Sequence, residues 1–230
     1  MKISDKTNTN SLITHTNPKS VISEKFRGIR SNIMFSTAGN DVKTLVVTSE
    51  QPTVGKSLIS ANLAIAYAQA GYKTLLMDGD MRKPTQHYLF NSPNIDGLSN
   101  LIINKTYIKK AVYNTEIDNL DLITSGPIPP NPSELIGSLQ FQKVLEELNE
   151  VYDFVVIDTP PVNTVTDAQL YAEISGYVAL VVNVKSNERK AVLKSKELIQ
   201  KTGAKILGVV LNKTEHDKSS SYYAYYGEEE

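Results

Sequence analysis

Three consecutive residues, Gly55-Lys56-Ser57, have the types and order that grip phosphate. They follow the apolar run Leu45-Val46-Val47 and precede the Ala-rich stretch from Ala61 to Tyr67. A strand feeding a tight bend and then a helix gathers backbone N–H groups at the positive end of the helix, where phosphate oxygens are stabilised. Lys56 adds a cation for the outer phosphates of ATP, and the Ser57 hydroxyl adds a ligand for Mg2+. Thr53 and Val54 before the glycine and Leu58 after the serine complete the candidate nucleotide-binding bend. The match to the full phosphate-loop pattern is incomplete, because the pattern asks for Gly at position 50 and the chain has Glu50. On its own, Gly-Lys-Ser also describes an ordinary helix start with no ligand.

Acids at the ends of two apolar runs make the signal more specific. Asp158 closes Phe154-Val155-Val156-Ile157 and is followed by Thr159-Pro160-Pro161. Asp78 closes Leu75-Leu76-Met77 and leads into Gly79-Asp80-Met81-Arg82. In an open parallel sheet, ligands bind beyond the carboxyl ends of the strands. Both acids are therefore expected on the edge that carries the phosphate loop. A nucleotide-bound Mg2+ takes one or two carboxylates together with phosphate oxygens and water. A hydroxyl that receives a phosphoryl group needs a base beside it. Asp78, Asp80 and Asp158 are enough for both tasks. A single Asp at a strand end is often only a cap; three of them with Lys56 are not readily explained that way.

The elements that must position these residues follow from periodicity. Short continuous apolar runs at 43–48, 73–78, 120–124, 154–158, 177–184 and 205–211 read as buried strands. Between them lie helical segments, including 141–148, 188–202 and one capped by Asp167 and running through Ile174. Near the start, Ser20 or Ser23 caps a helix whose Ile22, Phe26, Ile29 and Ile33 form one apolar stripe. Residues 84–118 read as short helices and turns, and Gly126 to Pro132 as a Pro-rich loop. Strands alternating with helices imply an α/β fold: a doubly wound, mostly parallel sheet with helices on both faces. The expected organisation is a loose arm at 1–19, with a short strand at Leu12-Ile13, an ATP-binding domain at 20–213 and a tail at 214–230.

Composition excludes several alternatives. With 24 basic and 25 acidic residues the net charge is −1, which offers no polybasic pull toward nucleic acid or anionic lipid. Cysteine is absent, so disulfides and thiolate metal sites are ruled out, in keeping with a cytoplasmic setting. No apolar run approaches the roughly 18 residues of a membrane span, so any membrane role is expected to come through a partner. At the far end, Tyr222, Tyr223, Tyr225 and Tyr226 lie between three serines and Gly227-Glu228-Glu229-Glu230, a setting that cannot bury them. Either they form a sticky patch or their hydroxyls are the point.

The segments Gly55-Lys56-Ser57, Leu76 to Pro84 and Val156 to Pro161, together with the tyrosine cluster, resemble the bacterial protein-tyrosine kinases (BY-kinases) from about Ser23 to the C-terminus. The resemblance implies a P-loop NTPase-like fold and ATP-dependent autophosphorylation of the tail tyrosines, tied to capsular or exopolysaccharide synthesis. It implies phosphate and Mg2+ roles for Lys56 and Ser57, and Mg2+ coordination by Asp158. Asp78 and Asp80 would orient the metal and activate the tyrosine. It further implies a homo-oligomeric ring held by Glu24, Arg27 and Arg30, other tyrosine-containing substrates, and an activating membrane adaptor of the polysaccharide co-polymerase type that recruits the chain to the inner face of the membrane. By geometry alone, the same three residues are a solvated helix face with an i,i+3 ion pair. Asn212, at the end of the last apolar run, matches an Asn that reads the adenine edge in related nucleotide-binding proteins. Thr53 departs from the family's usual Gly, and its Cβ restricts φ. Partition-type ATPases share the fold but carry a signature Lys where this chain has Gln51. A nucleotide-controlled export scaffold is the remaining alternative.

Overall fold

The computed structural model describes residues 11–186 and 188–214. In chain order the elements are α1 (Ile13–Thr16), α2 (Val21–Ser36), β1 (Thr44–Ser49), α3 (Lys56–Ala68), β2 (Thr74–Asp78), α4 (Gln86–Leu89), α5 (Leu98–Ile102) and α6 (Ile108–Ala111). Then follow β3 (Val112–Asn114), β4 (Leu120–Ile123), α7 (Pro132–Ile136), α8 (Leu139–Val151), β5 (Phe154–Asp158), α9 (Asp167–Ser175), β6 (Tyr177–Asn183), α10 (Arg189–Lys201) and β7 (Lys205–Asn212). The strands form one sheet in the order β3-β4-β2-β5-β1-β6-β7. Every pairing is parallel except that of β3 with β4.

The alternation of side chains along each strand explains the three layers. Leu45, Val47, Leu76 and Val156 face α1, α2 and α3 and join one apolar cluster. Val46, Leu75, Met77, Val155 and Ile157 face the opposite way and join a second cluster with Leu98, Phe141, Leu148, Ala172 and Ile199. Helix α3 is buried on nearly every side, which is why it is rich in Ala. Its Tyr67 ring stacks on Phe154 at 3.9 Å between centroids.

Strand order matters most for the site. β5 inserts between β1 and β2, so three neighbouring strands end side by side. Asp78 and Asp158 are register partners on β2 and β5, and Val47 of β1 pairs with the same Asp158. The end of each of these strands carries one part of the predicted chemistry.

Several expectations are corrected. Leu12-Ile13 is not a strand: Ile13 begins α1, and Leu12 is buried against the α3 side of the core. The short segment is held by Asn62, which accepts from the Thr14 N–H at 2.9 Å and donates to the Ser11 carbonyl at 2.9 Å. The loose arm expected at 1–19 is thus packed from residue 11 onward, and its first ten residues lie outside the described ones. Ser20 does cap α2, accepting from Ser23 N–H, while Ile22 of the proposed stripe is exposed. Asp167 opens α9 without capping it. β3 and α7 were not anticipated, being only three and five residues long. Helical cover also runs out at the β7 edge, where Val209 and Leu211 are 51% and 59% exposed. Among the described residues no helix is long and apolar enough to cross a membrane.

Because Leu12 is buried in the apolar cluster on the α3 side of the sheet, Leu12→Ala is expected to lower unfolding free energy by about 2–5 kcal/mol, read from urea denaturation. A change under about 0.5 kcal/mol would show that the segment does not contribute to the core.

Candidate active site

The phosphate loop is built from backbone conformations that few residues tolerate. Gly55 has φ +94°, and a Cβ there would lie 2.5 Å from the Asn212 amide nitrogen. Only glycine fits. Thr53 also lies in the left-handed region, at φ +62°. For a β-branched side chain this is strained, which gives the Thr53 departure a physical cost. The end of β7 clasps the loop from outside: Asn212 Nδ2 donates to the Val54 carbonyl at 2.7 Å, and Lys213 Nζ to the Thr53 carbonyl at 2.9 Å. Asn212 is therefore at the loop, with its amide nitrogen engaged by the chain itself.

Lys56 begins α3 and turns inward. Its Nζ lies 3.1 Å from Asp80 Oδ2, 3.6 Å from Asp158 Oδ1 and 3.2 Å from Ser57 Oγ. One ammonium thus sits among the groups predicted to hold a metal. Burial alone would lower its pKa, but the charges of Asp158, Asp80 and Asp78 outweigh burial and raise it. Lys56 is firmly charged.

The three acids do different jobs. Asp78 is fully buried, and both its oxygens are spent on the loop that follows it. Oδ2 accepts from the N–H groups of Thr85 and Gln86, each at 2.9 Å, and Oδ1 from that of Asp80 at 3.3 Å. Asp78 shapes the loop. Asp80 lines the cavity, with Oδ1 accepting from Lys83 N–H at 3.0 Å and Oδ2 facing Lys56. Asp158 is buried, with Oδ1 toward Lys56 and Ser60 Oγ. Gly79 lets the loop cross β5 closely, since a Cβ there would meet the Asp158 carbonyl at 2.8 Å.

The cavity over this cluster has a volume of about 440 Å³ and is walled by Thr53, Gly55, Leu58, Asp80, Arg82 and Pro160, among others. A groove of about 670 Å³ elsewhere, near His15 and Glu116, is larger but has no converging acids and lysine. Among the described residues no three His, Cys, Asp or Glu side chains are grouped to hold a metal by themselves. Two carboxylates and a serine hydroxyl that converge on one cation fit an Mg2+ that arrives with phosphate oxygens of its own.

Two contributors were missed in the sequence. Gln86 is fully buried and donates from Nε2 to both Asp158 Oδ2, at 2.8 Å, and the Ser57 carbonyl, at 3.0 Å. Arg82 reaches the buried Asp167 through Nε at 2.8 Å and Nη2 at 3.0 Å. Asp167 also accepts from Ser133 Oγ at 2.6 Å, so it anchors the Asp78–Arg82 loop rather than a helix end. Neither Gln86 nor Asp167 lies in a motif that marks it in advance.

The predicted oligomerisation residues lie apart from this site, on α2. Arg27 pairs with Glu24 at 3.5 Å and donates to the Pro18 carbonyl. Arg30 donates to the Ala66 carbonyl at 2.6 Å, near the end of α3. Tyr222, Tyr223, Tyr225 and Tyr226 lie outside the described residues.

A seven-stranded, mostly parallel sheet with a Gly-Lys-Ser bend and strand-end acids defines the P-loop NTPase-like class of nucleotide-binding domain. A family model described as "AAA domain" matches residues 42–208. CapB of Staphylococcus aureus is 60% identical over 218 residues, 95% of this chain and 96% of its own length. Tyrosine-protein kinase YwqD of Bacillus subtilis is 40% identical over 216 residues, 94% of this chain and 91% of its own length. The crystal structure of the chimerical protein CapA2B2 superposes with a TM-score of 0.87 at 61% identity, covering 89% of this chain and 90% of that one. The chain belongs to the bacterial protein-tyrosine kinase family.

The electrostatics of the cluster give a pH signature. Burial, and then the charge of Asp158, push the Asp78 carboxyl up to about 7, against the Gln86 and Thr85 N–H groups and Lys56. The folded chain thus holds this proton more tightly than the unfolded chain, whose value is near 3.8. The resulting stability is complete below that value and is lost as pH rises through about 7. Asp78→Asn is expected to flatten this decline in unfolding free energy, measured by urea titration across the same window. Equal slopes in the two proteins would contradict it.

Proposed function

We propose that this chain is an ATP-dependent protein-tyrosine kinase that phosphorylates the tyrosines of its own C-terminal cluster, one subunit acting on another. The observation that carries this reading is Lys56, on the wall of the cavity, held between Asp80 and Asp158. Lys56 and the first N–H groups of α3 bind the ATP phosphates. Lys56 neutralises charge that develops as the γ-phosphoryl leaves, so positioning and electrostatics supply most of the catalysis. Ser57, Asp80 and Asp158 would hold Mg2+, which would supply positive charge to shield the phosphates. Asp80, the acid on the cavity wall, faces the incoming tyrosine hydroxyl, while Asp78 keeps the loop under it in shape. Asn212 borders the adenine from the end of β7.

From Asn212, ten to fourteen extended residues span roughly 33–50 Å. That reach extends to the chain's own site or to a neighbour's. In this reading the subunits form a ring through Glu24, Arg27 and Arg30, and a membrane adaptor recruits and activates the cytoplasmic chain. Through this it regulates capsular or exopolysaccharide synthesis, with other tyrosine-bearing proteins as further substrates. The internal bonds of Arg27 and Arg30 mean that assembly must re-use guanidinium groups already engaged within the chain. Gln51, in place of the partition ATPases' signature Lys, favours the kinase over that class.

Mixing Lys56→Met chains with active chains that lack residues 214–230, with labelled ATP and Mg2+, tests the reading. Label is expected on tail tyrosines of the Lys56→Met chain, and none when Lys56→Met chains are incubated alone. Nucleotide binding without tyrosine label in the full-length active chain would leave the export-scaffold alternative. Label confined to intact active chains would exclude transfer between subunits.

A further inference from the structure

We propose that Gln86 is the positioning residue that aims Asp158 at the metal, resting on the reading that this site binds Mg2+ with a nucleotide. Gln86 is fully buried, and its side-chain nitrogen bridges two elements of the site. One N–H goes to Asp158 Oδ2 at 2.8 Å, at the end of β5, and the other to the Ser57 carbonyl at 3.0 Å, in the first turn of α3. Its backbone N–H also holds Asp78 Oδ2. One residue therefore ties together the phosphate-loop helix and two strand-end acids.

The orientation of the amide follows from its partners. Both atoms that it faces are acceptors, so a flipped amide would set its oxygen against a carboxylate and a carbonyl. The nitrogen must face them, and Oε1 is left buried without a partner. With Oδ2 pinned, Asp158 turns its other oxygen, Oδ1, to the side where Lys56 lies 3.6 Å away. A Lys or Arg in place of Gln86 would hold Asp158 equally well but would cancel its charge. A neutral amide fixes the carboxylate and leaves its full charge for a cation. Groups that orient a metal ligand in this way typically change metal affinity about 10- to 100-fold when removed.

Metal affinity and nucleotide affinity can be read separately. A fluorescent ADP analogue is titrated into the full chain in EDTA and then at increasing Mg2+, for wild type, Gln86→Leu and the volume-matched Gln86→Met. The half-saturating Mg2+ concentration is expected to rise about 10- to 100-fold in both variants, with affinity in EDTA within about twofold of wild type. Unchanged Mg2+ dependence, or equal losses with and without Mg2+, would reduce Gln86 to a packing residue and overturn the proposal. If the Leu variant does not fold, the Met variant decides by the same criteria. If wild type binds the analogue with no Mg2+ dependence at all, the metal reading of the site fails, and the proposal with it.

Discussion

The site depends on one lysine. Asp78 and Asp158 end neighbouring strands as register partners, and Asp80 follows two residues on. All three are buried or nearly so. Charges of like sign at this spacing, away from water, cannot persist without a cation. Lys56 is that cation, and its place between Asp80 and Asp158 is set by the turn that starts α3. Taking away one member of a buried ion pair typically costs about 3–5 kcal/mol, because the partner is left uncompensated. Burial first, and then the charge of Asp158, also raise the pKa of Asp78.

This arrangement connects folding to function. The acids converge because β5 lies between β1 and β2, and the sheet is stable because both its faces are buried by apolar residues that alternate along each strand. Apolar packing thus holds together a cluster that electrostatics alone would push apart. In the proposed reading, the lysine that serves the phosphates also stabilises Asp80 and Asp158, with which it pairs. In that reading nucleotide and Mg2+ together would offer both partners a replacement, an anion for Lys56 and a divalent cation for Asp80 and Asp158.

Much of this was legible in the sequence, for identifiable reasons. Strands such as Val155-Val156-Ile157 are continuous apolar runs because both faces are buried, and Asp158 marks where the run meets the ligand edge. Gly55 was legible because a left-handed bend against Asn212 admits no other residue. Other parts depend on distant partners and leave no local pattern. Gln86 lies in a four-residue helix and works through groups 29 and 72 positions away. Asp167 looks like a cap and instead holds Arg82, 85 positions earlier. The division of labour between Asp78 and Asp80 was equally hidden, since only the folded loop shows that Asp78 spends its oxygens on backbone N–H groups. Leu12-Ile13 misled because two apolar residues fit a strand or a helix, and the choice was made by Asn62 of α3.

In the proposed reading, Lys56 exchanges acids for phosphates when the site is loaded. A crystal structure of the full chain with ADP and Mg2+ tests it most directly. Lys56 Nζ is expected within hydrogen-bond distance of the phosphate oxygens, Asp158 and Ser57 beside the metal, and the Asp80–Lys56 contact lengthened beyond 3.1 Å. A nucleotide bound elsewhere, with Lys56 still paired to Asp80 and Asp158, would contradict it.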